Sequence, residues 1–516
     1  MSIKVAIKRN TYFDSVSLMS LSTQANQIDG VEQAVVAMAT EMNKGVLRNV
    51  GLLTPEIEEA GNGDLVVVVR AASEADCERA LAEVEALFKA RSKGASGRSA
   101  ERSFSTLQSA VEQVPEANLA IISVPGQFAG REARKALENG LHVLMFSDNV
   151  SVEEEIALKQ FAHEKGLLMM GPDCGTAVLG RAGLCFANAV RRGNIGVVGA
   201  SGTGSQEICA RIHDFGGGIT QVIGTGGRDL SERVGGIMML DGLRALEADP
   251  ETAVIVLVSK PPAKSVEKKI MDAVKLCQKP VVVCLLGGSE DAVLQAGAHF
   301  GKTTKEAALK AVVLAGQPEE EINKRALNHA LVAEIKAKLK PEQKYIRGLL
   351  CGGTLCEEIM LLVKEQHSNV FSNIAKDPAH RLVDVDTSQA HTFIDFGDDD
   401  FTRGRPHPMI DPSLRIERLL QEAADPEVGV IVMDFILGFG AHEDPVGVTL
   451  PAIRQAKEMA AQRGQHLEIL GYVLGTDLDA PPLSEQVQKL SEAGVTISSS
   501  CANSGLLARG FVEKSE

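Results

Sequence analysis

Residues 194–207 read NIGVVGASGTGSQE, a short apolar run joined to a helical pattern by a loop of small residues. A strand, a small-residue loop and a helix in this order direct free backbone N–H groups at one point, where the helix dipole adds positive charge. Such a corner suits a phosphate or a carboxylate. The glycine spacing, G-x-x-G-x-G, matches neither the dinucleotide fingerprint nor the P-loop. The stretch therefore predicts an anion-binding corner, with a plain tight turn as the alternative.

A second copy of the pattern, YIRGLLCGGTLCEE, occupies residues 345–358. Gly353-Thr354 matches Gly202-Thr203, and Glu358 falls where Glu207 falls. Further segments recur downstream in the same order, namely Met239–Asp241 as Met409–Asp411, Gly224–Asp229 as Asp395–Asp399, Ala248–Glu251 as Ala424–Glu427, and Leu285–Gly288 as Val473–Thr476. This ordered recurrence predicts a duplicated α/β module with two anion-binding corners.

Composition narrows the class of protein. The chain has 516 residues, which favours three or four domains, and 44% of them are hydrophobic. The net charge is −15 and no stripe of Lys or Arg is present, so we expect no nucleic-acid partner. Nine scattered cysteines, an N-terminus that fits a strand better than a leader, and no run long enough to span a membrane predict a cytoplasmic protein with reduced thiols.

Strand and helix patterns alternate along the whole chain and predict an α/β fold class. We expect a small N-terminal α/β unit (1–90), a mobile Ser/Gly/Arg-rich linker (91–105) and a Rossmann-like domain (106–192). The first flavodoxin-like repeat follows (193–316), then a charged helical connector (317–342) and the second repeat (343–516). A fully buried strand is expected over Asn118–Val124. In parallel sheets ligands bind at the carboxyl ends of the strands, so Val124–Phe128 and Gly171–Thr176 are candidate site segments, or else simple turns.

Several of these segments carry a resemblance. Residues from about Asn118 to Gly316 resemble the α subunit of succinyl-CoA synthetase, through Val124-Pro125, GPDCGT, SGTGSQE, GTGGRD and DPET before an apolar strand. The second repeat looks like the carboxy-terminal domain of that enzyme's β subunit. The whole chain is similar to the FdrA family of single-chain acyl-CoA-synthetase-like proteins. This resemblance implies a Rossmann-like CoA-binding-type domain, two succinyl-CoA-synthetase-type domains, and work with companion subunits in an oligomer.

The resemblance also implies an activity, carbamoyl transfer in purine and allantoin nitrogen catabolism, with oxamate and carbamoyl phosphate interconverting. Three features of the synthetases have no counterpart here. The Gly-His-Ala-Gly segment of the phosphorylated histidine is replaced by a sequence in which His299 comes late and in another context. His299 is either an ordinary surface or helix-cap histidine or a phosphoryl carrier. The Gly-rich CoA loop before Asn118 and an ATP-grasp domain are also missing. The chain alone is therefore not expected to run an ATP-to-CoA relay.

In the synthetases both repeats direct their helix N-termini at one phosphoryl group, and the resemblance implies the same here. The implied phosphate-binding residues are Ser201, Gly202, Thr203, Gly204, Ser205, Gly352, Gly353 and Thr354. The implied substrate- or CoA-binding residues are Val124, Pro125, Gly126, Gly226, Gly227, Asp395 and Gly397. Glu207 and Glu358, placed in the first helical turn, are predicted catalytic residues that orient a group beside the phosphate, or else residues that complement the helix dipoles.

Arg228 is the third predicted catalytic residue. It could clamp a carboxylate such as oxamate with two hydrogen bonds, or else form a surface ion pair with Asp229 or Glu232. Three histidines lie near acidic residues, but no ligand spacing supports a metal, so we expect none; they are His391, His407 and His442. Cys174 and Cys351 flank the proposed loops as fillers or, alternatively, as activated thiols.

Three functions are compatible with these residues. The leading one is a subunit of a transferase that uses carbamoyl or acyl phosphate and a carboxylate or amide acceptor, holding phosphate between two helix N-termini without a phosphohistidine. The second is an ADP-forming acyl-CoA synthetase subunit that borrows a nucleotide domain, so CoA is a possible cofactor and no covalent cofactor is expected. The third is a non-catalytic scaffold that holds companion subunits together.

Overall fold

The computed structural model describes residues 2–9, 11, 13, 15–26, 28–94, 104–402 and 405–512. Their contacts divide the chain into two units, Met1–Ser105 and Thr106–Glu516. The segment 95–103, which falls inside the linker we predicted, lies outside the described residues.

The first unit is a three-stranded antiparallel sheet with helices on it. Its elements are β1 (Ser2–Lys8), α1 (Ser15–Asn26), β2 (Val31–Met38), α2 (Glu41–Asn49), α3 (Pro55–Glu59), β3 (Leu65–Ala71) and α4 (Glu74–Gly94). The strand order is β1-β3-β2. The central strand β3 is buried on both faces because its alternate valines enter two separate cores, Val67 and Val69 one, Val66 and Val68 the other. Helix α4 continues to Gly94, so the first residues of the predicted linker are helical.

The second unit begins with a small parallel sheet of order β4-β5-β6. Its elements are α5 (Leu107–Gln113), β4 (Leu119–Ile122), α6 (Gly126–Glu138), β5 (His142–Met145), α7 (Val152–Glu164) and β6 (Met169–Met170). We expected a fully buried strand over Asn118–Val124, and that was wrong: β4 lies at the edge of its sheet, and Ile121 is 52% exposed. An apolar composition alone does not distinguish an edge strand from a central one.

The first repeat forms a seven-stranded sheet of order β13-β12-β11-β9-β10-β7-β8. Its elements are β7 (Thr176–Leu179), β8 (Ala182–Cys185), β9 (Arg192–Gly199), α8 (Gly202–Asp214), β10 (Ile219–Gly224), α9 (Ile237–Ala248), β11 (Val254–Ser259), α10 (Lys264–Val274), β12 (Val281–Leu285), α11 (Glu290–Gln295), β13 (His299–Phe300) and α12 (Thr304–Leu314). The five parallel strands β9–β13 have the flavodoxin-like order 2-1-3-4-5. The β7–β8 hairpin, expected within the preceding Rossmann-like domain, instead pairs with β10.

The second repeat forms a six-stranded parallel sheet of order β15-β16-β14-β17-β18-β19. After helix α13 (His329–Lys338), its elements are β14 (Tyr345–Leu350), α14 (Gly353–Lys364), β15 (Val370–Ser372), β16 (His391–Asp395), α15 (Asp399–Thr402), α16 (Ser413–Ala423), β17 (Val428–Ile436), α17 (Pro445–Gln462), β18 (Glu468–Leu474), α18 (Leu483–Glu492), β19 (Thr496–Ile497) and α19 (Cys501–Val512). The order of β14 and β16–β19 is again 2-1-3-4-5, with β15 added at the edge. The α/β fold class and the duplication predicted from the sequence are confirmed.

Both repeats place the strand-to-helix corner at the same point of the sheet. In each, the first strand lies between the second and third strands, and its helix begins at the carboxyl edge where the direction of the crossovers reverses. Ligands of open α/β sheets bind in this crevice. Within the described part of the chain, no helix has the length and apolar character needed to cross a bilayer.

Candidate anion-binding site between the two repeats

The two predicted corners are in direct contact. Ser201, the N-cap of α8, shares a hydrogen bond between its hydroxyl and that of Thr354 in the first turn of α14. Gly204 lies on the same contact, because a Cβ there would be 2.9 Å from Thr354 Cγ2. Two helix N-termini therefore open at one place, and their dipoles add to the same local positive potential.

Some predicted phosphate ligands already have partners. Gly204 N–H donates to Ser201 Oγ at 3.0 Å, and Ser205 Oγ donates to the Ser201 carbonyl at 2.7 Å. On the other side, Gly352 N–H donates to Asp434 Oδ2 at 3.0 Å. The N–H groups of Gly202 and Thr203 open helix α8 and have no carbonyl behind them in the helix. The donors that remain for a ligand are thus the first two amides of each helix, with one of the Ser201 and Thr354 hydroxyls, since the other donates between them.

Asp434, in strand β17, holds the loop of the second corner in place. Its buried carboxylate accepts from the N–H of Cys351 at 2.9 Å as well as from Gly352, and it pairs with Arg415 Nη1 at 2.6 Å. The two backbone hydrogen bonds to Asp434 orient the loop. Because the Asp434 carboxylate is buried and paired with Arg415, the pair adds no net charge to the corner. The duplicated sequence gave no signal for this role, since the first repeat has no aspartate at the corresponding point.

Lys260 adds a cation at the mouth of the site. It follows β11 directly, and its Nζ lies 3.9 Å from Asp395 Oδ2. A Cβ on Gly353 would lie 2.6 Å from this Nζ and 2.4 Å from that oxygen, so glycine is required for their approach to the α14 N-terminus. Burial raises the pKa of Asp395 to about 6, with Lys260 opposing the shift. An ammonium, a basic carboxylate and two helix N-termini therefore meet in one crevice.

Thr176 contributes a buried hydroxyl that no described part of the chain satisfies. The residue is 3% exposed, and its Oγ1 makes no hydrogen bond to the described residues. The same atom lies 3.4 Å from the point that a Cβ on Gly202 would occupy, at the start of α8. A buried hydroxyl without a partner carries a desolvation cost, so an acceptor supplied by a ligand would relieve it.

Glu207 and Glu358 have a different place from the one predicted. Each is the sixth residue of its helix, in the second turn and fully buried. Glu207 accepts from Cys501 N–H at 3.2 Å and from the Tyr472 hydroxyl. Glu358 accepts from Thr304 N–H at 2.6 Å and from the Thr304 hydroxyl. Each carboxylate thus caps the first residue of the other repeat's last helix, α19 or α12. Their catalytic assignment stays a prediction, and the contacts supply a capping role.

Arg228 pairs with neither Asp229 nor Glu232. Its Nη2 lies 2.9 Å from Glu155 Oε2 and donates to the Val150 carbonyl at 2.8 Å. Glu155 also binds the fully buried Lys159, which contacts Asp229 Oδ1 at 2.8 Å. The GTGGRD segment therefore fastens the small parallel sheet to the first repeat through a buried charge cluster. A carboxylate substrate would have to compete with Glu155 for Arg228.

The predicted CoA-side residues gather at the carboxyl edge of the small sheet. Val124 N–H donates to Ser147 Oγ at 3.0 Å, and Pro125 is the N-cap of α6, which begins at Gly126. Asp173 N–H donates to the Ser147 carbonyl, and Gly226 lies directly against the Pro172 carbonyl. Gly227 stands beside Asp173. These residues form one continuous edge that reaches Thr176, whereas Asp395 and Gly397 belong to the second corner.

The histidines and thiols lie in ordinary structural positions. His299 is exposed on the edge strand β13 and aligns with the start of β12, away from the carboxyl edge. His391 is buried in β16, where burial lowers its pKa to about 3, and His442 accepts a turn N–H at 2.9 Å. Burial raises the pKa of Cys174 and Cys351, which disfavours their thiolates. No metal-binding group of three or more acidic, Cys or His side chains occurs in the described ranges.

The sequence reasoning missed Lys260, Thr176 and Asp434. Lys260 had a usable signal, since it is the first residue after the strand that borders the crevice. Thr176 lay inside a segment singled out from the sequence, but its lack of a partner is visible only in three dimensions. The fold and this crevice define an α/β protein with a duplicated flavodoxin-like core.

Comparisons with known families agree with this class. Residues 1–104 match the family "AllF, heavy metal-associated domain", residues 190–287 match "CoA binding domain" and residues 349–510 match "CoA-ligase". The CoA-binding match falls on the first repeat, not on the small sheet where the resemblance had placed it. The chain is 61% identical over 516 residues to YahF of Escherichia coli K12, covering 100% of both chains. It belongs to the FdrA family of acyl-CoA-synthetase-like proteins.

More distant relatives are subunits of CoA ligases. The chain is 30% identical over 188 residues to the α1 subunit of the ADP-forming succinate–CoA ligase of Archaeoglobus fulgidus, covering 36% of this chain and 62% of that one. It is 27% identical over 213 residues to SauD, a subunit of the ADP-forming sulfoacetate–CoA ligase of Bilophila wadsworthia, covering 38% and 71%. Acetyl-CoA synthetase 1 of Ca. Korarchaeum cryptofilum matches with a TM-score of 0.34 at 16% identity, covering 76% of this chain and 82% of that one.

The name of the first family raises the question of a metal in residues 1–104. This part of the chain contains one cysteine, Cys77, and no histidine. Cys77 is fully buried, and its Sγ lies 3.3 Å from the Ser2 carbonyl, to which it donates. A soft heavy-metal site needs several thiolates or imidazoles on an accessible loop. The residues present therefore do not fit such a metal.

Proposed function

We propose that this chain is a subunit of a transferase that acts on a carbamoyl or acyl phosphate, and that the crevice between α8 and α14 binds the phosphate. The observation that carries the proposal is the contact between the two helix N-termini at Ser201 and Thr354. Lys260 and the unpartnered Thr176 hydroxyl support it, because both lie at this crevice and both suit an oxyanion. The family's CoA-ligase character supports the reaction class, which is transfer of an acyl group through an activated carbonyl.

In the proposed reaction, a nitrogen or oxygen of the acceptor attacks the carbonyl carbon. The bond between this carbon and the phosphate oxygen breaks, and phosphate leaves with the bonding electrons. The helix amides and Lys260 stabilise the charge that develops on the leaving phosphate. Asp395, whose pKa burial raises to about 6, takes the proton from the acceptor. No histidine carries the phosphoryl group, and an amide such as oxamate is the acceptor that the resemblance suggests.

An ADP-forming acyl-CoA synthetase subunit is the second candidate. The matches to the CoA-binding and CoA-ligase families favour it. The edge at Val124–Gly126 fits part of CoA, because Val124 is 37% and Phe128 55% exposed beside the start of α6, an apolar surface suited to the pantetheine arm. When bound, CoA would supply a thiol acceptor for the acyl group. A partner would have to supply the nucleotide domain.

Equilibrium binding of inorganic phosphate to the purified full-length chain tests the leading proposal. Lys260→Gln should weaken binding roughly tenfold, the effect of losing one charge-assisted hydrogen bond. Lys264→Gln is the matched control, since it removes an equal charge four residues away on an exposed helix start. Equal affinity in the wild type and in Lys260→Gln would contradict the proposal.

Activity separates the three functions. Carbamoyl transfer by the chain with its companion subunits should be lost in Gly202→Asp and Gly353→Asp, while the complex stays assembled. CoA-dependent formation of an acyl-CoA would favour the second candidate. Full activity in both glycine variants would leave the scaffold function, and a stable phosphohistidine formed from ATP or carbamoyl phosphate would rule out the leading mechanism.

A further inference from the structure

His407 is a side chain of the second corner for which the proposed chemistry has no use. It lies in the turn before α16, and its Nδ1 accepts the Met409 N–H at 3.2 Å. Its ring packs against Phe186 of the first repeat, with ring centroids 5.8 Å apart. The imidazole is therefore fixed at the seam between the two repeats, by its own turn on one side and by an aromatic ring on the other.

The hydrogen bond at Nδ1 decides what the other ring nitrogen can do. Since Nδ1 accepts, the proton of the neutral ring is at Nε2, which becomes a donor without a lone pair. Burial and the nearby Arg415 guanidinium lower the pKa of His407 to about 4, so the ring is neutral at pH 7. Among residues 104–402 and 405–512, no side chain or carbonyl accepts a hydrogen bond from Nε2.

Asp395 connects His407 to the phosphate crevice. Its Oδ1 accepts the Gly397 N–H at 2.9 Å, and its Oδ2 faces Lys260 and Gly353. A Cβ on Gly397 would lie 2.7 Å from His407 Nε2 and 3.1 Å from Asp395 Oδ1. His407 Nε2 and the N-terminus of α14 therefore both lie beside the Asp395 carboxylate, the first near Oδ1 and the second near Oδ2.

We propose that His407 Nε2–H donates a hydrogen bond to the carbonyl oxygen of the carbamoyl or acyl phosphate whose phosphate lies at the two helix N-termini. This inference rests on the proposed function and adds to it a residue that recognises the carbonyl. A neutral imidazole donor polarises a carbonyl and strengthens its bond as negative charge develops on the oxygen. Because Nε2 has no lone pair, His407 is a donor here and not an acceptor of the phosphoryl group.

The test compares two ligands that differ in the carbonyl. Acetyl phosphate, an acyl phosphate, and methyl phosphate, a phosphate monoester, both end in a phosphate group, but only acetyl phosphate has a carbonyl oxygen. Calorimetric titration of the purified full-length chain should show acetyl phosphate binding about fivefold more tightly, the value of one neutral hydrogen bond. His407→Asn keeps an acceptor at the place of Nδ1 and removes the donor at Nε2, whereas His407→Gln keeps a donor near Nε2.

We expect His407→Asn to abolish the preference for acetyl phosphate with methyl phosphate affinity unchanged, and His407→Gln to restore part of the preference. An unchanged preference in His407→Asn, or transfer of labelled phosphate from acetyl phosphate to His407, overturns the inference. If the wild type binds neither ligand, the proposed function itself fails, and the methyl phosphate titration shows this independently of His407.

Discussion

At the scale of single residues, two buried threonines, Thr252 and Thr176, differ in whether the protein supplies a hydrogen-bond partner for the hydroxyl. Thr252 shows the ordinary case, because its buried hydroxyl donates to Asp249 at 2.7 Å and shares a hydrogen bond with Thr220. Thr176 is equally buried, and its hydroxyl has no hydrogen-bond partner among the described residues. Folding alone thus satisfies the Thr252 hydroxyl, whereas the Thr176 hydroxyl lies at the crevice, where a ligand would complete it.

Replacing Thr176 with valine should therefore have opposite effects on stability and on binding. The ligand-free chain should gain up to about 1 kcal/mol in free energy of unfolding, because a buried group without a partner is removed. The rise in melting temperature caused by phosphate should become smaller. Thr252→Val is the control and should cost about 1–2 kcal/mol. Denaturant unfolding and ligand-dependent melting measure both quantities, and a loss of stability in Thr176→Val without phosphate would contradict this account.

Single residues also differ in how well their environment can be predicted from the sequence. Ser201 and Thr354 could be placed from the sequence because a strand, a small-residue loop and a helix define their position locally. The partner of Arg228 could not be predicted in this way. Glu155 lies 73 positions earlier in the sequence and in another layer of the fold. Motifs give the position of a side chain in its loop, but tertiary packing decides its partner.

At the scale of elements, α12 and α19 are the last helices of the two repeats, and each begins on a carboxylate from the other repeat. Burial raises the pKa of Glu358, the carboxylate at α12, to about 7 from an ordinary 4.5. The folded state therefore binds this proton more tightly than the unfolded chain does. The stabilisation is complete below about pH 4.5 and is lost as the pH rises towards 7.

Glu358→Gln should remove this pH dependence, because glutamine cannot ionise. Relative to the wild type, the variant should gain about 3 kcal/mol in free energy of unfolding between pH 4.5 and 7.5, at 1.36 kcal/mol per pKa unit. Urea unfolding across this pH range measures the difference. Glu306→Gln, an exposed change on α12 itself, should follow the wild type. A constant difference between Glu358→Gln and the wild type across the range would show that the pKa is not raised.

Elements differ in how much of their placement the sequence encodes. The strands of both repeats follow apolar runs, and their order follows from the duplication, so the two flavodoxin-like sheets were predictable. The β7–β8 hairpin was assigned to the wrong sheet, because its pairing with β10 is a non-local choice that no periodicity records. Similarly, Glu207 and Glu358 follow their loops closely in sequence but lie one turn deeper, facing away from the crevice.

At the scale of the whole molecule, residues 1–104 match a family named for heavy-metal association but contain one cysteine and no histidine. We therefore expect no stoichiometric Cd²⁺ or Zn²⁺ site that depends on Cys77. Titration of the full-length chain, followed by calorimetry and by thiolate–cadmium absorption, should give the same result for the wild type and for Cys77→Ser. Binding of one metal ion in the wild type that disappears in Cys77→Ser would contradict this expectation.

Because each repeat caps the last helix of the other, it matters that one gene encodes both repeats in a single chain. Suppose that the chain were broken in the connector, residues 317–342. Each half would then hold a buried carboxylate whose partner helix is on the other half, and its own last helix would lack the carboxylate that caps its first residue. Two separate polypeptides could recover these contacts only by finding each other in equal amounts. Fusion supplies that pairing at synthesis, so the one-to-one ratio of the halves needs no control of expression.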